Sequence, residues 1–315
     1  MRGGRGPTTH AILGWMLDAL DHVVLAVRNL ETATSQYARL LGRNPSWRGR
    51  HPDQGTANAL FHLENTTLEL LTPEGAGAVG RAVETFLDTR GDALLGLAFR
   101  TRDAEACHAW WLDRGLSPSP VAKGLGRDLE SGAFREWRRV PLPVSQTRGV
   151  VLFAIEHTSP EAMLPPATPT CTEAASVFAL DHTVIRTLDA EATQVLYGDR
   201  LGLRLALDRS FPQWGARLLF FRVGGITVEI AAPLSGEGKD APAPNQDGPE
   251  PERDRLWGLS WRIPSADAAR ERLAGAGFEP SEVRAGRKPG TRVFSLRDGT
   301  CGVPTLMIES TMPRG

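Results

Sequence analysis

The chain has little cysteine: three residues in 315, at Cys107, Cys171 and Cys301. They form no Cys-x-x-Cys pair and leave an odd count, so neither a disulfide framework nor a cysteine zinc site organises the fold, which fits a reducing cytoplasm. A surplus of one charge sign is lacking too. Thirty-six Lys and Arg stand against thirty-seven Asp and Glu, a formal net charge of −1. A nucleic-acid partner would need an extended basic surface, so none is expected. No apolar run reaches the roughly 18 residues of a membrane helix, and no membrane partner is expected either. What remains is ordinary for a globular protein, with 41% hydrophobic and 23% charged residues and length enough for two domains. Residues 1–16 are rich in Gly and Arg. Their apolar stretch, Ala11-Ile12-Leu13, is too short for a signal-peptide core. They read as a disordered leader, with Met16 an alternative start.

The chain repeats itself. Ala19-Leu20-Asp21-His22 recurs as Ala179-Leu180-Asp181-His182, an offset of 160 that also maps Tyr37 to Tyr197, the only two tyrosines. The same offset maps Gly42 to Gly202, Glu69 to Glu229 and Pro73 to Pro233. A second pair of segments matches at an offset of 162, from Gly96-Leu97-Ala98-Phe99-Arg100 to Gly258-Leu259-Ser260-Trp261-Arg262. All four segments end with a glutamate four residues before a proline: Glu69, Glu156, Glu229 and Glu309, before Pro73, Pro160, Pro233 and Pro313. Each glutamate lies in a β-rich apolar run that the proline stops.

One module reads as a strand (20–27), a helix (31–41) stopped by Gly42 as C-cap, and strands near 46–50, 58–63 and 66–72. Helices are expected over 103–114 and 266–276. Strand, helix, then several strands predicts an α+β fold with a mostly antiparallel sheet. Two domains follow, 17–160 from modules one and two and 177–315 from modules three and four, joined by a linker over 161–176. Residues 234–255, dense in Pro, Gly, Asp and Glu without periodicity, read as a mobile loop.

Paired βαβββ modules, with Asp-His in a first strand and Glu in a last strand, resemble the glyoxalase/vicinal-oxygen-chelate superfamily. Arg50-His51-Pro52, Gly55-Thr56, Asn58 and Leu68-Glu69-Leu70-Leu71 resemble the glyoxalase-like domain proteins in particular. The resemblance implies two cup-shaped domains, each formed by two facing modules around one divalent metal. Its ligands would come from the first-strand His and the last-strand Glu: His22, Glu69 and Glu156 in one half, His182, Glu229 and Glu309 in the other. Gly96 and Gly258 stand where a second His is usual. One imidazole and two carboxylates suit Zn, Ni, Mn, Fe or Mg with open positions for substrate. Such a metal would polarise a carbonyl while a carboxylate, Glu156 or Glu309, serves as base.

The expected function is a glyoxalase-like, metal-dependent lyase or isomerase acting on a small oxygenated molecule. The rival reading is a metal-free binding protein of bleomycin-resistance type; an extradiol dioxygenase would need a second His in one cup. Arg48, His51, Thr56 and Asn58 lead into the third strand of module one and could bind a polar substrate or remain solvated. Arg284, Arg287, Lys288 and Arg292, interleaved with Gly286 and Gly290, could clamp an anion or form a solvated basic loop. Trp214, Trp257 and Trp261 read as core, or as a wall for an aromatic substrate. Monomer and homodimer both remain open.

Overall fold

The computed structural model describes residues 16–234 and 254–310. The expected leader, but for Met16, and all but the ends of the expected loop over 234–255 lie outside the described residues. The fold is α+β. The first half opens with β1 (Ala19–Ala26), whose alternation buries Leu20, Val23 and Leu25 in the main core and turns His22, Val24 and Ala26 to the other face. Helix α1 (Leu30–Leu41) starts where Asn29 accepts from the Thr32 amide and ends at Gly42, in the left-handed region at φ 68°. Its buried Tyr37, Leu40 and Leu41 seat it on the sheet. Then come β2 (Trp47–His51), β3 (Thr56–His62) and β4 (Thr67–Pro73), which returns parallel to β1.

The second module repeats the plan with β5 (Ala93–Arg100), α3 (Ala104–Asp113) capped by Asp103, β6 (Ala122–Asp128), β7 (Phe134–Pro141) and β8 (Val151–His157). β1 and β5 run antiparallel at the seam. A short pairing of β2 with β6, Gly49 with Asp128 and Arg50 with Arg127, closes all eight strands into a barrel. Between the modules lies α2 (Ala78–Arg90), which the repeat pattern does not announce. Its Val83 and Leu87 cluster with Val24, Ala26 and Leu71, so the helix plugs one end of the barrel's inner face.

The second half uses the same order with one difference. β9 (Ala179–Arg186) leads into α4 (Ala190–Gln194), which continues as a wider turn to Arg200, then β10 (Arg204–Phe211), β11 (Ala216–Val223) and β12 (Ile226–Pro233). β13 (Arg255–Arg262), α5 (Ala266–Gly275), β14 (Arg284–Ala285), β15 (Thr291–Leu296) and β16 (Thr305–Ser310) follow. The sheet stays open, with β10 and the two-residue β14 at its edges. The edges are bridged by side chains: the Arg287 guanidinium lies 3.7 Å from the Trp214 ring, which stacks on Phe211 at 4.5 Å.

The halves share one continuous apolar core. Tyr37 donates its hydroxyl to the Thr300 carbonyl at 3.0 Å, and Arg148 donates to Asp254 at 3.1 Å. Among the described residues no helix is long and apolar enough to cross a membrane.

Candidate functional site

The inner face of the first barrel is polar. The strand register breaks between Leu20 and His22, and the side chains of Asp21 and His22 meet there. His22 Nδ1 lies 2.8 Å from Asp21, and its Nε2 faces Glu69 at 3.4 Å. Glu69 accepts from Asn58 Nδ2 at 2.7 Å, and the same amide lies 3.4 Å from His51 Nε2. His51 Nδ1 in turn meets the Thr56 hydroxyl at 2.9 Å. Asp21 also receives Arg100 Nε and His157 Nε2, each at 2.9 Å. Four of the seven histidines, His22, His51, His62 and His157, hydrogen-bond within this lining.

Charge follows from these contacts. Burial opposes an ionised Asp21, but hydrogen bonds from His157 and His22 outweigh it and hold the carboxyl well below its usual range. Burial likewise opposes the His22 imidazolium, yet the Asp21 bond and the Glu69 charge prevail and raise its pKa. An ionised Asp21 holds one proton of the His22 imidazolium on Nδ1, and the second sits on Nε2, toward Glu69. His51 goes the other way: burial pushes its pKa down. A neutral His51 donates from Nδ1 to Thr56 and accepts the Asn58 amide on Nε2, the only tautomer that satisfies both contacts.

The second half keeps the dyad and loses most of its surroundings. His182 Nδ1 lies 2.9 Å from Asp181, but Nε2 bonds the Ser260 hydroxyl at 2.7 Å while Glu229 is 3.8 Å away. Ser260 stands beside His182 where Ala98 stands beside His22, so the first half leaves Nε2 free of such a bond. The registers of β10 with β11 and of β2 with β3 match His51 to Phe211 and Asn58 to Leu218. Burial raises the pKa of Glu229, which has no amide donor like Asn58.

Glu156 and Glu309 do not join either cup. Glu156 accepts from the Ala104 amide at 2.9 Å and Glu309 from the Ala266 amide at 2.7 Å, each at the start of a helix on the outer face. Arg138 joins Glu156 to Glu105, and Arg292 joins Glu309 to Asp267. The cause is register. Glu69 stands beside Val24, two residues after His22. Two residues after Gly96 and Gly258 come Ala98 and Ser260, which stand beside Phe153 and Leu306. Aligning the modules on their terminal glutamates therefore slips the strand by three residues, an odd number that turns a side chain to the opposite face. The true counterparts of Glu69 are apolar, and the Phe153 ring packs edge-on to His22 with centroids 5.4 Å apart.

The expected His/Glu/Glu metal set is thus corrected. Of the expected ligands each cup keeps one His and one Glu, and among the described residues no group of three or more His, Cys, Asp or Glu is arranged to hold a metal ion. Asp21, Asn58 and His51 around His22 and Glu69 are tied up in hydrogen bonds, the Phe153 ring offers no donor, and the nearby Arg135 and Arg139 repel a cation. The donors present do not fit the divalent metal (Zn, Ni, Mn, Fe or Mg) that the resemblance implied. Gly96 marks close approach, since a Cβ there would lie 2.3 Å from the Val151 carbonyl oxygen.

The other expected site residues divide. His51, Thr56 and Asn58 face the barrel interior with Glu69. Arg48 points outward on β2 and pairs with Glu31 at 2.6 Å. Arg287 stacks on Trp214, Lys288 is exposed, and Arg292 braces α5 rather than clamping an anion. Trp261 is fully buried in the core, and Trp257 lies under Arg186 at 3.9 Å. Sequence reasoning missed Asp21, His157 and the inner face of β7. The alternation Arg135, Trp137, Arg139 in a strand was the available signal.

Strand-helix-strand modules paired around a polar cup define a class of small-molecule proteins rather than one reaction. A family model described as Glyoxalase-like domain matches residues 20–175, and one described as Glyoxalase/Bleomycin resistance protein/Dioxygenase superfamily matches 181–294. The chain belongs to this glyoxalase/vicinal-oxygen-chelate superfamily as a tandem of two such domains. A mutant of 4-hydroxymandelate synthase from Streptomyces coelicolor superposes with a TM-score of 0.64 over 95% of this chain and 94% of its own, at 14% identity. A hypothetical protein from Staphylococcus aureus gives 0.60 over 92% and 98%, at 10% identity. At these identities the likeness is one of fold. The Ethylmalonyl-CoA/methylmalonyl-CoA epimerase of Cereibacter sphaeroides is 40% identical over 63 residues, 20% of this chain and 47% of the relative. The mitochondrial methylmalonyl-CoA epimerase of Homo sapiens is 39% identical over 61 residues, 19% and 35%. The chain thus spans less than half the length of these curated relatives.

Proposed function

We propose that the first half is the working site and carries acid–base chemistry of the isomerase or lyase class on a small oxygenated substrate. The observation behind this is the His22–Glu69 pair, 3.4 Å apart on the inner face of the first barrel and held from behind by Asp21 and Asn58. Glu69 is the base, taking a proton from the carbon beside a substrate carbonyl. His22, kept as a donor by Asp21, returns a proton to the resulting enolate. Positioned proton transfer of this kind contributes about 10²- to 10⁴-fold. The short matches to epimerases, whose names denote inversion at a carbon, agree with this class.

The test is solvent-deuterium exchange followed by NMR on the full chain. Methylmalonyl-CoA is the first probe, followed by small 2-oxo and 2-hydroxy acids. Wild type should exchange a carbon-bound proton, and His22→Ala and Glu69→Gln should slow exchange at least about 100-fold. Chelation should leave the rate unchanged. A stoichiometric metal that disappears in His22→Ala would reinstate the metalloenzyme reading. Saturable binding without exchange would favour the rival, a sequestering protein, which the aromatic lining by Phe153 and Trp137 beside the imidazoles also accommodates.

A further inference from the structure

The acid–base reading leaves open what holds the substrate. Strand alternation puts Arg135, Trp137 and Arg139 on the inner face of β7, with the Trp137 ring edge-on to His51 at a centroid distance of 5.5 Å. Trp137 lies flat against β6, where a Cβ on Gly124 would come within 2.2 Å of its Nε1. The barrel interior thus carries an arginine on either side of an indole. A third arginine, Arg100, is already committed to Asp21.

The two β7 arginines are under-used. Arg139 spends one Nη on Gln54 at 3.1 Å and leaves its Nε buried without a partner. The Arg135 side chain makes no hydrogen bond or ion pair among the described residues; its guanidinium lies 5.5 Å from the Trp47 ring. Asp21 and Glu69 act on Arg135 only through space, and burial pushes the pKa of both arginines down. A part-buried guanidinium with idle donors is costly unless something pairs with it. Arg135, Arg139, Arg100 and the His22 imidazolium bring four positive charges against the two of Asp21 and Glu69, a surplus of two. That surplus suits an anion, and the flat fork of an arginine matches a carboxylate. The second half has no counterpart, because the β7 and β15 registers match Arg139 to Val293 and Trp137 to Thr291.

We propose that the first barrel binds a small carboxylate, received by the guanidinium fork of Arg135 and balanced by the charge of Arg139. This rests on the reading of that barrel as the working site and names its substrate class. NMR and calorimetric titrations with lactate, pyruvate and malonate, each against its neutral amide, test it. At least one acid should bind wild type saturably, one per chain, and at least about 30-fold more tightly than its amide. Arg135→Gln should lower that affinity by the same factor and leave the amide unaffected. Arg135→Lys, which keeps the charge and loses the fork, should lose about fivefold. It also serves if the glutamine variant does not fold. No acid preferred over its amide, or affinity unchanged in Arg135→Gln and Arg135→Lys, overturns the proposal. Tighter displacement by inorganic phosphate than by any acid overturns the carboxylate assignment. Arginine-dependent binding without deuterium exchange would sink the acid–base reading alone.

Discussion

The two halves share a strand order and an Asp-His dyad, yet differ at nearly every side chain around it. His51, Asn58, Ala98 and Arg139 in the first correspond to Phe211, Leu218, Ser260 and Val293 in the second. Beyond the dyad and its glutamate, what the halves keep in common is on the outer face. Arg138 with Glu156 and Glu105 is matched by Arg292 with Glu309 and Asp267, and each glutamate caps a helix. Faithful repetition therefore does not separate the two faces, since the dyad and its glutamate repeat as well as the outer braces, and the halves differ in the side chains that surround the dyad. The backbone agrees: hydrogen bonds close the first ring, whereas a stacked arginine and tryptophan bridge the second.

The sharpest way to break the comparison is to write the second half's residues into the first. Asn58→Leu copies Leu218 and removes the donor held 2.7 Å from Glu69. Deuterium exchange should fall by about 100-fold, with a stability loss of about 1–3 kcal/mol from the orphaned carboxylate. Ala98→Ser copies Ser260 and gives His22 Nε2 a hydroxyl partner, which should cost about tenfold in rate with little change in melting temperature. Unchanged exchange in both would remove the first barrel from consideration as the working site.

How far the sequence reaches can be judged from the same residues. The expected helix over 31–41 and the strands flanking it match α1 and its neighbours closely, because Gly42, the apolar alternation and the caps are local signals. His22 with Glu69 and His182 with Glu229 were legible through their equal spacing. Glu156 and Glu309 misled because a Glu-x-x-x-Pro ending is a chain-order signal, while the face a strand residue presents depends on register with its neighbour. Arg135 and Arg139 were invisible to the repeat because module four has no counterpart of their pattern. Helix α2 was missed for a related reason: its place in the second half falls in the 234–255 segment.

The outer-face glutamates offer a test in which the halves should behave alike. Glu156→Ala and Glu309→Ala each remove an acceptor from a helix-start amide and a partner from an arginine. Each should destabilise by about 1 kcal/mol in urea melts and leave deuterium exchange within twofold. A large loss of activity in Glu156→Ala alone would restore it to the site.

A smaller effect separates the two cup glutamates by pH. Burial raises the pKa of Glu229 above the carboxyl value it has in the unfolded chain. The native state therefore binds that proton more tightly, and its contribution to stability is full at low pH and lost as pH rises through the raised value. Glu229→Gln should accordingly stabilise the protein at pH 7 and have no such effect near pH 4, as urea melts at the two pH values would read. Glu69→Gln, made beside Asn58 and the His22 imidazolium, should destabilise at pH 7 instead. Equal and like-signed effects in the two variants would erase the electrostatic difference between the cups.

The least costly change probes closure. Trp214 lies between Phe211 and the Arg287 guanidinium, joining the β10 edge to the turn before β15. An exposed cation–π contact is worth about 0.5–1 kcal/mol. Trp214→Ala should therefore cost about that much in global stability, while amide exchange in β14 and the start of β15 accelerates selectively, since those strands have no further partner on that side. In the first half the corresponding edges are joined by the β2–β6 backbone pairing, so truncating Trp47 should leave exchange at Gly49 and Arg50 slow. If Trp214→Ala loosens nothing at β14, the stack is incidental and the second cup is held open by its sheet alone.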